Sequence, residues 1–264
     1  ALARGGEPLA RSDMFEVLRG LKARNVRTLI ITNGMLLHAD KAQTLADIAP
    51  DIVMVSLHGG PKHHDEVMGA PGAWDKTWCA MQALLQARRG TRVIINCVVD
   101  GNVHELRAVA EAGRALGVDG VRYTMVTFMT EAEVARSQNE GLMPTSYIRP
   151  SPPEVDPDLL VAEMRALRRD FGSLVSVHPV LRDEQMAAWF GESGGTKRAC
   201  TVMRHTLFLQ PDGTVVPCPY LLDHPLGNVT EQPLEEIWNS HEMRALRLRR
   251  DREAFTVCAR CCKT

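Results

Sequence analysis

The chain has 264 residues, of which 45% are apolar, so it can form one large domain or a larger domain with a small one, and it is too apolar to be disordered. Its 31 basic and 32 acidic side chains nearly cancel, which removes the electrostatic case for a nucleic-acid partner. Seven cysteines without a secretory signal pattern, and no apolar run near the roughly 20 residues of a membrane span, predict a cytoplasmic protein with reduced or metal-bound thiols and no membrane partner.

Strand-like and helical patterns alternate over the first half of the chain. We expect helices at 11–24, 39–48, 73–89 and 103–116, and strands at 26–32, 51–57, 92–99 and 120–126. These strands are apolar throughout, as the strands of a buried parallel sheet are. No Gly-x-Gly-x-x-Gly follows any strand, so the order favours a partial barrel over a dinucleotide-binding fold.

The second half contains a Pro- and Ser-rich loop at 139–157, which is either a lid or substrate loop or a surface insertion. The remaining predicted elements are a helix at 157–170, a strand at 174–177, a helix at 182–190, a linker at 191–197, a hairpin of 205–210 with 214–217, and a helix at 233–249. The basic stretch 244–252 is interpreted as the solvated face of the last helix. We expect one domain over residues 1–190 and a second over 198–264.

Four cysteines near the end of the chain have the spacing of a metal site: Cys200, Cys218, Cys258 and Cys261. A Pro-Asp-Gly turn separates the first two, and the last two form a Cys-x-x-Cys pair. Four thiolates can hold either an iron–sulfur cluster or a zinc ion. Cys79 and Cys97 have no partner at ligand spacing and are predicted to be small buried side chains.

The segment Gly5-Gly6-Glu7-Pro8 also draws attention. Two glycines let the backbone approach a ligand closely, a carboxylate beside them could bind an ammonium group, and proline fixes the exit into a helix. By itself the segment is weak evidence and is better explained by a strand-to-helix turn.

A composite pattern includes that segment and covers nearly the whole chain. Its parts are Gly5-Gly6-Glu7-Pro8, Thr32-Asn33-Gly34, Val55-Ser56-Leu57-His58-Gly59-Gly60-Pro61, His64-Asp65 and Gly69-x-Pro71-Gly72. Together they resemble the radical S-adenosylmethionine (radical SAM) enzymes. The C-terminal cysteines, with Pro217-Cys218-Pro219, Gly227-Asn228 and Leu234-Glu235-Glu236-Ile237-Trp238, resemble the SPASM or shortened twitch extension that carries an auxiliary iron–sulfur cluster.

The resemblance implies an α/β fold: a partial (β/α)6 TIM-like barrel, without its first strand and cluster loop, followed by a small β-hairpin-plus-helix iron–sulfur domain. In the family, the Gly-Gly-Glu-Pro strand end binds the amino group of S-adenosylmethionine. That role falls on Gly5, Gly6, Glu7 and Pro8, with Glu7 as the acceptor. The polar residue that ends a later strand contacts the ribose, and here it is Ser56.

Further cofactor contacts are less defined. Asn96 points either into the barrel, where it would contact the cofactor, or into a helix interface, and Arg122 and Thr124 are weaker candidates of the same kind. His58 stands where many relatives have Asp, and we assign it no role. No catalytic residue can be named from the sequence.

The defining Cys-x-x-x-Cys-x-x-Cys loop of the family, which lies upstream of Gly-Gly-Glu-Pro in relatives, is absent from this sequence. The chain starts at Ala1 without an initiator Met, so we interpret it as N-terminally truncated in preference to a degenerate relative. A second [4Fe–4S] cluster is then expected from the missing segment. The chain as given is predicted not to cleave S-adenosylmethionine.

The resemblance makes Cys200, Cys218, Cys258 and Cys261 the ligands of a fully ligated auxiliary [4Fe–4S] cluster. Cys262 is a spare or alternative ligand, and a second auxiliary cluster beyond the C-terminus stays open. The cluster would transfer electrons or accept the electron left after hydrogen abstraction, unless it is only a structural clip. Sulfatase-maturing relatives have an acid where this chain has Pro219, which disfavours that activity.

The sequence therefore favours a radical SAM oxidoreductase or maturase that abstracts hydrogen from a peptide or small-molecule substrate and takes electrons from a reductant such as flavodoxin or ferredoxin. The alternative is a non-catalytic protein with a structural four-cysteine zinc site. An ordinary barrel lyase is a third and weaker interpretation, because no Lys or His–carboxylate pair is evident at the strand ends.

Overall fold

A computed structural model describes residues 1–3, 6–143, 145, 148–191 and 200–261. The chain forms two compact units: Ala1–Met125 with Asp158–Val180, and Val126–Pro157 with Leu181–Thr264. The domain bounds expected from the sequence, 1–190 and 198–264, remain a prediction. Within the described residues no helix combines the length and the apolar character that crossing a bilayer requires.

The first unit is built on a six-stranded parallel sheet. Its strands are β1 (Leu2–Ala3), β2 (Leu29–Thr32), β3 (Ile52–Ser56), β4 (Arg92–Val99), β5 (Gly120–Met125) and β6 (Val175–His178). They lie side by side in chain order, and every pair is parallel. A doubly wound sheet would reverse its strand order, whereas consecutive order is that of a barrel wall. The predicted α/β fold is confirmed.

Helices follow the strands as crossover connections. They are α1 (Met14–Ala23), α2 (Ala39–Ile48), α3 (Pro61–Met68), α4 (Ala73–Ala87), α5 (Leu106–Leu116) and, before β6, α7 (Pro157–Phe171). The predicted bounds of α2 and β4 agree with the structure to the residue. The helix α3 was not predicted, although Gly60 at its N-cap and Pro61 at its first position are a known start signal.

The two faces of the sheet differ in polarity, as strand β4 demonstrates. Ile95 and Cys97 are completely buried, and the intervening Asn96 is partly exposed, because successive side chains of a strand point to opposite faces. The buried face packs on α5 so closely that a Cβ on Gly113 would lie 2.4 Å from a methyl group of Val121. The other face therefore carries the polar side chains.

The second unit contains helices and a small antiparallel sheet. Its helices are α6 (Glu131–Asn139), α8 (Asp183–Trp189), α9 (Val202–His205), α10 (Leu234–Trp238) and α11 (His241–Arg252), and its strands are β7 (Phe208–Leu209), β8 (Thr214–Val216) and β9 (Gly227–Asn228). The predicted hairpin is present as β7 and β8, and β9 extends it to three strands. Gly213 in its turn has φ +87°, a conformation that glycine adopts without strain.

Two sequence predictions in these helical regions are wrong. The single helix expected at 233–249 is two helices, because the Ser240 hydroxyl accepts a hydrogen bond from the Met243 amide at 3.1 Å and starts a new helix there. Cys79, expected to be buried, is exposed on α4, since it lies on the outer side of that helix. Cys97 is buried as predicted.

Candidate functional site

Glu7 connects the segment after β1 to the carboxyl end of β2. Its Oε1 accepts hydrogen bonds from the Leu9 amide at 2.9 Å and from Thr32 Oγ1 at 2.8 Å, and its Oε2 accepts one from the Asn33 amide at 2.7 Å. An ionised carboxylate has about four acceptor positions. Glu7 is thus fixed in place by three donors and keeps capacity for one more.

The backbone beside Glu7 has room for a ligand. Gly6 has φ +59°, and a Cβ built there would find no atom within 4 Å. Pro8 begins a short 3-10 turn that ends at Ala10, which directs the chain away from this point. Gly5, predicted with these residues as a cofactor contact, lies outside the described residues.

A row of polar side chains crosses the sheet from the end of β3 through the interior of β4, β5 and β6. Ser56, Asn96, Arg122 and Ser176 are register partners on β3, β4, β5 and β6. Thr124 Oγ1 donates to Asn96 Oδ1 at 2.8 Å, so the Asn96 amide group is oriented by a neighbouring strand and its nitrogen is directed elsewhere. The structure thus places Asn96 on the polar face of the sheet and not against a helix.

Ser56 differs from its neighbours in this row. Within the described part of the chain its hydroxyl makes no hydrogen bond, whereas the Ser176 hydroxyl donates to the Val121 carbonyl at 3.5 Å. A serine hydroxyl at a strand end without a protein partner is available to a ligand.

Two histidines, His58 and His64, follow the carboxyl end of β3. The His58 amide donates to His64 Nδ1 at 3.2 Å, and the Val98 amide donates to His58 Nδ1 at 3.3 Å. Burial lowers the pKa of His58 to about 4, with smaller contributions from His64 and His63, and burial also lowers the pKa of His64. Both rings are therefore neutral at neutral pH, and their contacts are those of structural residues.

His64 continues this network toward Glu7. Its Nε2 lies 3.5 Å from the Thr77 hydroxyl, which donates to the Asn33 carbonyl at 3.0 Å. The Asn33 amide in turn donates to Glu7. A series of hydrogen bonds, most of them part-buried, thus joins the β3 end to the Glu7 carboxylate.

The four cysteines of the predicted metal site belong to the second unit. Cys218 is 7% exposed and is part of its apolar core, while Cys200, Cys258 and Cys261 are half-buried. Burial is the main cause that raises the pKa of Cys218, and electrostatic repulsion from Cys261, Cys258 and Cys200 raises it further, so each of these three lies within electrostatic reach of Cys218. Over the described ranges, no three His, Cys, Asp or Glu side chains are already arranged to hold a metal ion. Cys262 lies outside those ranges.

Charged groups surround the Cys-x-x-Cys pair. Burial raises the pKa of Cys258 to about 11, and the positive charge of Arg250 opposes that rise. Arg260, between the two cysteines, is 1% exposed and bound to Glu133. No sequence signal distinguishes Arg260 as buried, because arginine is almost always exposed.

Comparison with known families divides the chain as the two predicted motifs do. The family model described as the radical SAM superfamily matches residues 4–113, and the model described as SPASM, an iron–sulfur cluster-binding domain, matches residues 200–262. The two matched regions include Glu7, Ser56 and Asn96 on one side and all four cysteines on the other.

Individual relatives are distant in sequence. The chain is 27% identical to an AdoMet-dependent heme synthase of Methanosarcina barkeri and 25% identical to a PqqA peptide cyclase of Methylocella silvestris, and covers 68% and 59% of their lengths with 90% and 89% of its own. In fold it is similar to Streptococcus suis SuiB bound to S-adenosylmethionine, with a TM-score of 0.69 and 16% identity over 93% of this chain and 55% of SuiB.

Proposed function

Since this chain belongs to the radical SAM superfamily of enzymes and carries a SPASM iron–sulfur domain, we propose that it works as an oxidoreductase or maturase that would abstract hydrogen from a peptide or small-molecule substrate. The sequence given contains no Cys-x-x-x-Cys-x-x-Cys, so we expect that these residues by themselves do not cleave S-adenosylmethionine. The cofactors of these two domains are S-adenosylmethionine and [4Fe–4S] clusters. When bound, they would supply a 5′-deoxyadenosyl radical and the electron transfer that goes with it.

The observation that carries the proposal is the held carboxylate of Glu7 beside open space at Gly6. A ligand ammonium group placed there would meet the one acceptor position that Thr32, Asn33 and Leu9 leave on Glu7. Because the carboxylate is already oriented, binding would not require it to be ordered first.

Two residues of the polar row, Ser56 and Asn96, supply the second part of the cofactor site. The Ser56 hydroxyl and the Asn96 amide nitrogen are suited to the hydroxyl groups of a ribose. Thr124 would act through Asn96, because it determines which end of that amide faces the ligand. These residues fit S-adenosylmethionine in the chemistry of their donors and acceptors.

The four cysteines fit an auxiliary [4Fe–4S] cluster, since four thiolates are its usual ligand set. Around them, Arg250 would favour the thiolate form of Cys258. The donor set by itself also suits zinc, so a structural zinc site is the competing assignment. A reductant of the flavodoxin or ferredoxin class is the partner that the redox role requires.

The substrate is proposed only as a class. The two relatives are named for a heme synthase and a peptide cyclase, so their names support a small molecule and a peptide equally. The Pro- and Ser-rich loop at 139–157 and the polar face of the sheet are both candidates for substrate contact.

Calorimetric binding of S-adenosylmethionine to the anaerobically purified chain tests the cofactor site. We expect Ser56→Ala to weaken binding about 5- to 10-fold, because it removes a hydroxyl whose hydrogen bond is worth about 1 kcal/mol. Ser176→Ala is the matched control, since it removes a serine from the same row whose hydroxyl bonds to Val121, and its affinity should stay within twofold of the parent. No binding by the parent chain, or equal effects of both variants, would contradict the proposal.

A further inference from the structure

The Cys258-Ala259-Arg260-Cys261 loop is held by a helix that neither matched family model contains. Helix α6, Glu131–Asn139, lies between the matched regions 4–113 and 200–262. Its first turn presents the carboxylate of Glu133, and the residue that ends it is Glu140. Both carboxylates bind this loop or the turn that leads into it.

Arg260 is the first point of attachment. Its Nη1 donates to both carboxylate oxygens of Glu133 at 2.6 Å, its Nε donates to the Trp189 carbonyl at 2.8 Å, and its Nη2 donates to the Gly191 carbonyl at 2.8 Å. The guanidinium carbon also lies 4.2 Å from the centre of the Phe128 ring. A planar fork with this many partners has one orientation available to it.

Glu133 is itself immobilised. Its Oε2 accepts from the Thr130 amide at 2.8 Å, while the Thr130 hydroxyl accepts from the Glu133 amide at 3.3 Å. This reciprocal pair is the capping box that starts α6. The position of Arg260 is therefore tied to the end of a helix and not to a flexible side chain.

Thr256 is the second point of attachment. Its amide donates to Glu140 Oε2 at 2.9 Å, and its hydroxyl donates to Glu140 Oε1. Thr256 begins the 3-10 turn that ends at Cys258. One attachment thus lies just before Cys258 and the other just before Cys261.

The backbone of the loop cannot provide this placement. Its own hydrogen bonds, from Cys258 to Phe255 at 3.0 Å and from Cys261 to Cys258 at 3.3 Å, define a local turn but not where the turn sits. A buried ion pair adds little to stability compared with an apolar pair of similar volume. The buried Arg260–Glu133 pair is better explained by what it positions.

We propose that helix α6 is the positioning element of the auxiliary cluster site, with Glu133 and Glu140 holding Arg260 and Thr256 so that Cys258 and Cys261 face the cluster. The inference rests on the proposed function, because it takes the four cysteines as the cluster ligands. It adds residues outside the matched SPASM region to that site.

The test is the rate at which the anaerobically reconstituted full chain releases iron to a chelator, together with the electron paramagnetic resonance spectrum of its reduced cluster. The sequence has no Cys-x-x-x-Cys-x-x-Cys, so the iron reports on the four-cysteine site. Arg260→Met should speed release about 10- to 100-fold, as loss of an outer-shell partner does at metal sites, and alter the spectrum. Arg260→Lys keeps the positive charge beside Glu133 but loses the guanidinium fork. Its rate of iron release should therefore lie between those of the parent and of Arg260→Met.

Arg204→Met is the matched control, because it removes an exposed arginine that pairs with Asp251 in the same unit, and it should release iron like the parent. Thr256→Val, which removes only the hydroxyl bonded to Glu140, should speed release several-fold and decides the question if Arg260→Met does not fold, as judged by circular dichroism of the apo-protein.

Two failures are distinguishable. Release within twofold of the parent and an unchanged spectrum for folded Arg260→Met, or for Thr256→Val in its place, would overturn the role of α6 while leaving the cluster assignment intact. If Cys218→Ala retains the full iron content of the parent, the cluster ligands proposed above are wrong.

Discussion

At the residue scale, backbone hydrogen bonds determine which nitrogen of the His58 and His64 rings can carry a proton. In each ring Nδ1 already accepts a backbone amide hydrogen bond, so the neutral ring carries its proton on Nε2. Adding a proton to Nδ1 would set two donors against each other. The native state thus requires both rings to be neutral.

This requirement predicts a loss of stability in mild acid. The pKa of His58 is about 4 in the folded protein, against an ordinary value of 6.5, so below pH 6.5 the unfolded chain binds a proton that the folded chain does not. The contribution is complete above pH 6.5 and is lost as pH falls toward 4. We expect the free energy of unfolding to drop by about 2 kcal/mol between pH 6.5 and 5, as measured by urea denaturation.

A variant separates this effect from general acid sensitivity. His58→Asn should show a shallower pH dependence than the parent, and some slope should persist because burial also lowers the pKa of His64. His241→Asn, at an exposed position, should keep the parental slope. Equal slopes for the parent and His58→Asn would show that His58 is not responsible.

The same scale shows what a sequence can reveal about a site. Glu7 and Ser56 could be singled out because their motifs are local, and their roles in cofactor binding remain predictions. The contacts of Arg260 could not be predicted, because its partners Glu133 and Trp189 are distant in sequence and no local pattern indicates a buried arginine.

At the scale of elements, two helical glycines have opposite surroundings. A Cβ on Gly113 of α5 would lie 2.4 Å from Val121 and 3.3 Å from Val118, whereas on Gly20 of α1 the nearest atom is the flexible end of Arg24 at 3.6 Å. Alanine favours a helix over glycine by up to about 1 kcal/mol. Only at Gly20 can that gain be realised.

We therefore predict opposite signs for the two substitutions. Gly113→Ala should lower the free energy of unfolding by about 1 to 3 kcal/mol through overpacking between α5 and the sheet, and Gly20→Ala should raise it by about 0.5 to 1 kcal/mol. Chemical denaturation of both variants measures the difference. A stabilising Gly113→Ala would mean that α5 does not pack against β5 as closely as described.

Elements were predictable where pattern and boundary signals agreed. Helix α2 and strand β4 have uninterrupted apolar patterns, and their bounds follow from the sequence. Apolar periodicity does not indicate helix α6, because little of its surface is apolar, and only the capping-box pair Thr130 and Glu133 marks its start. The junction between α10 and α11 was missed because the apolar pattern continues through it, and only Ser240 marks the new start.

At the scale of the whole molecule, the sequence could predict a parallel sheet but not the order of its strands. The alternation of strands and helices predicted a parallel sheet, and the six strands lie in chain order. The second unit was harder, since its core combines residues from 129 to 257 that no periodic pattern links. Its four proposed ligand cysteines could be grouped from their spacing, but the contacts that position them, such as that of Arg260 with Glu133, could not be predicted.

The metal content of the molecule provides a prediction at this scale. Purified without oxygen, the chain should be brown, with about four iron and four sulfide per molecule. Removal of that iron by a chelator should raise hydrogen exchange in the core of the second unit around Val215 and Val257, because Cys218 belongs to this core. Exchange in β4 serves as the internal reference. Colourless protein with one zinc per chain would contradict the cluster assignment.

The exposure of Cys79 has a practical consequence. Cys97 and Cys218 are buried, whereas Cys79 is accessible on α4, next to Trp78, whose ring stacks on that of Trp74 at 4.8 Å. A maleimide dye should attach there ahead of those two thiols, within energy-transfer distance of an indole pair. The chain thus has a natural attachment point for an optical probe in the unit that contains Glu7, distant in sequence from the cysteines proposed to hold iron.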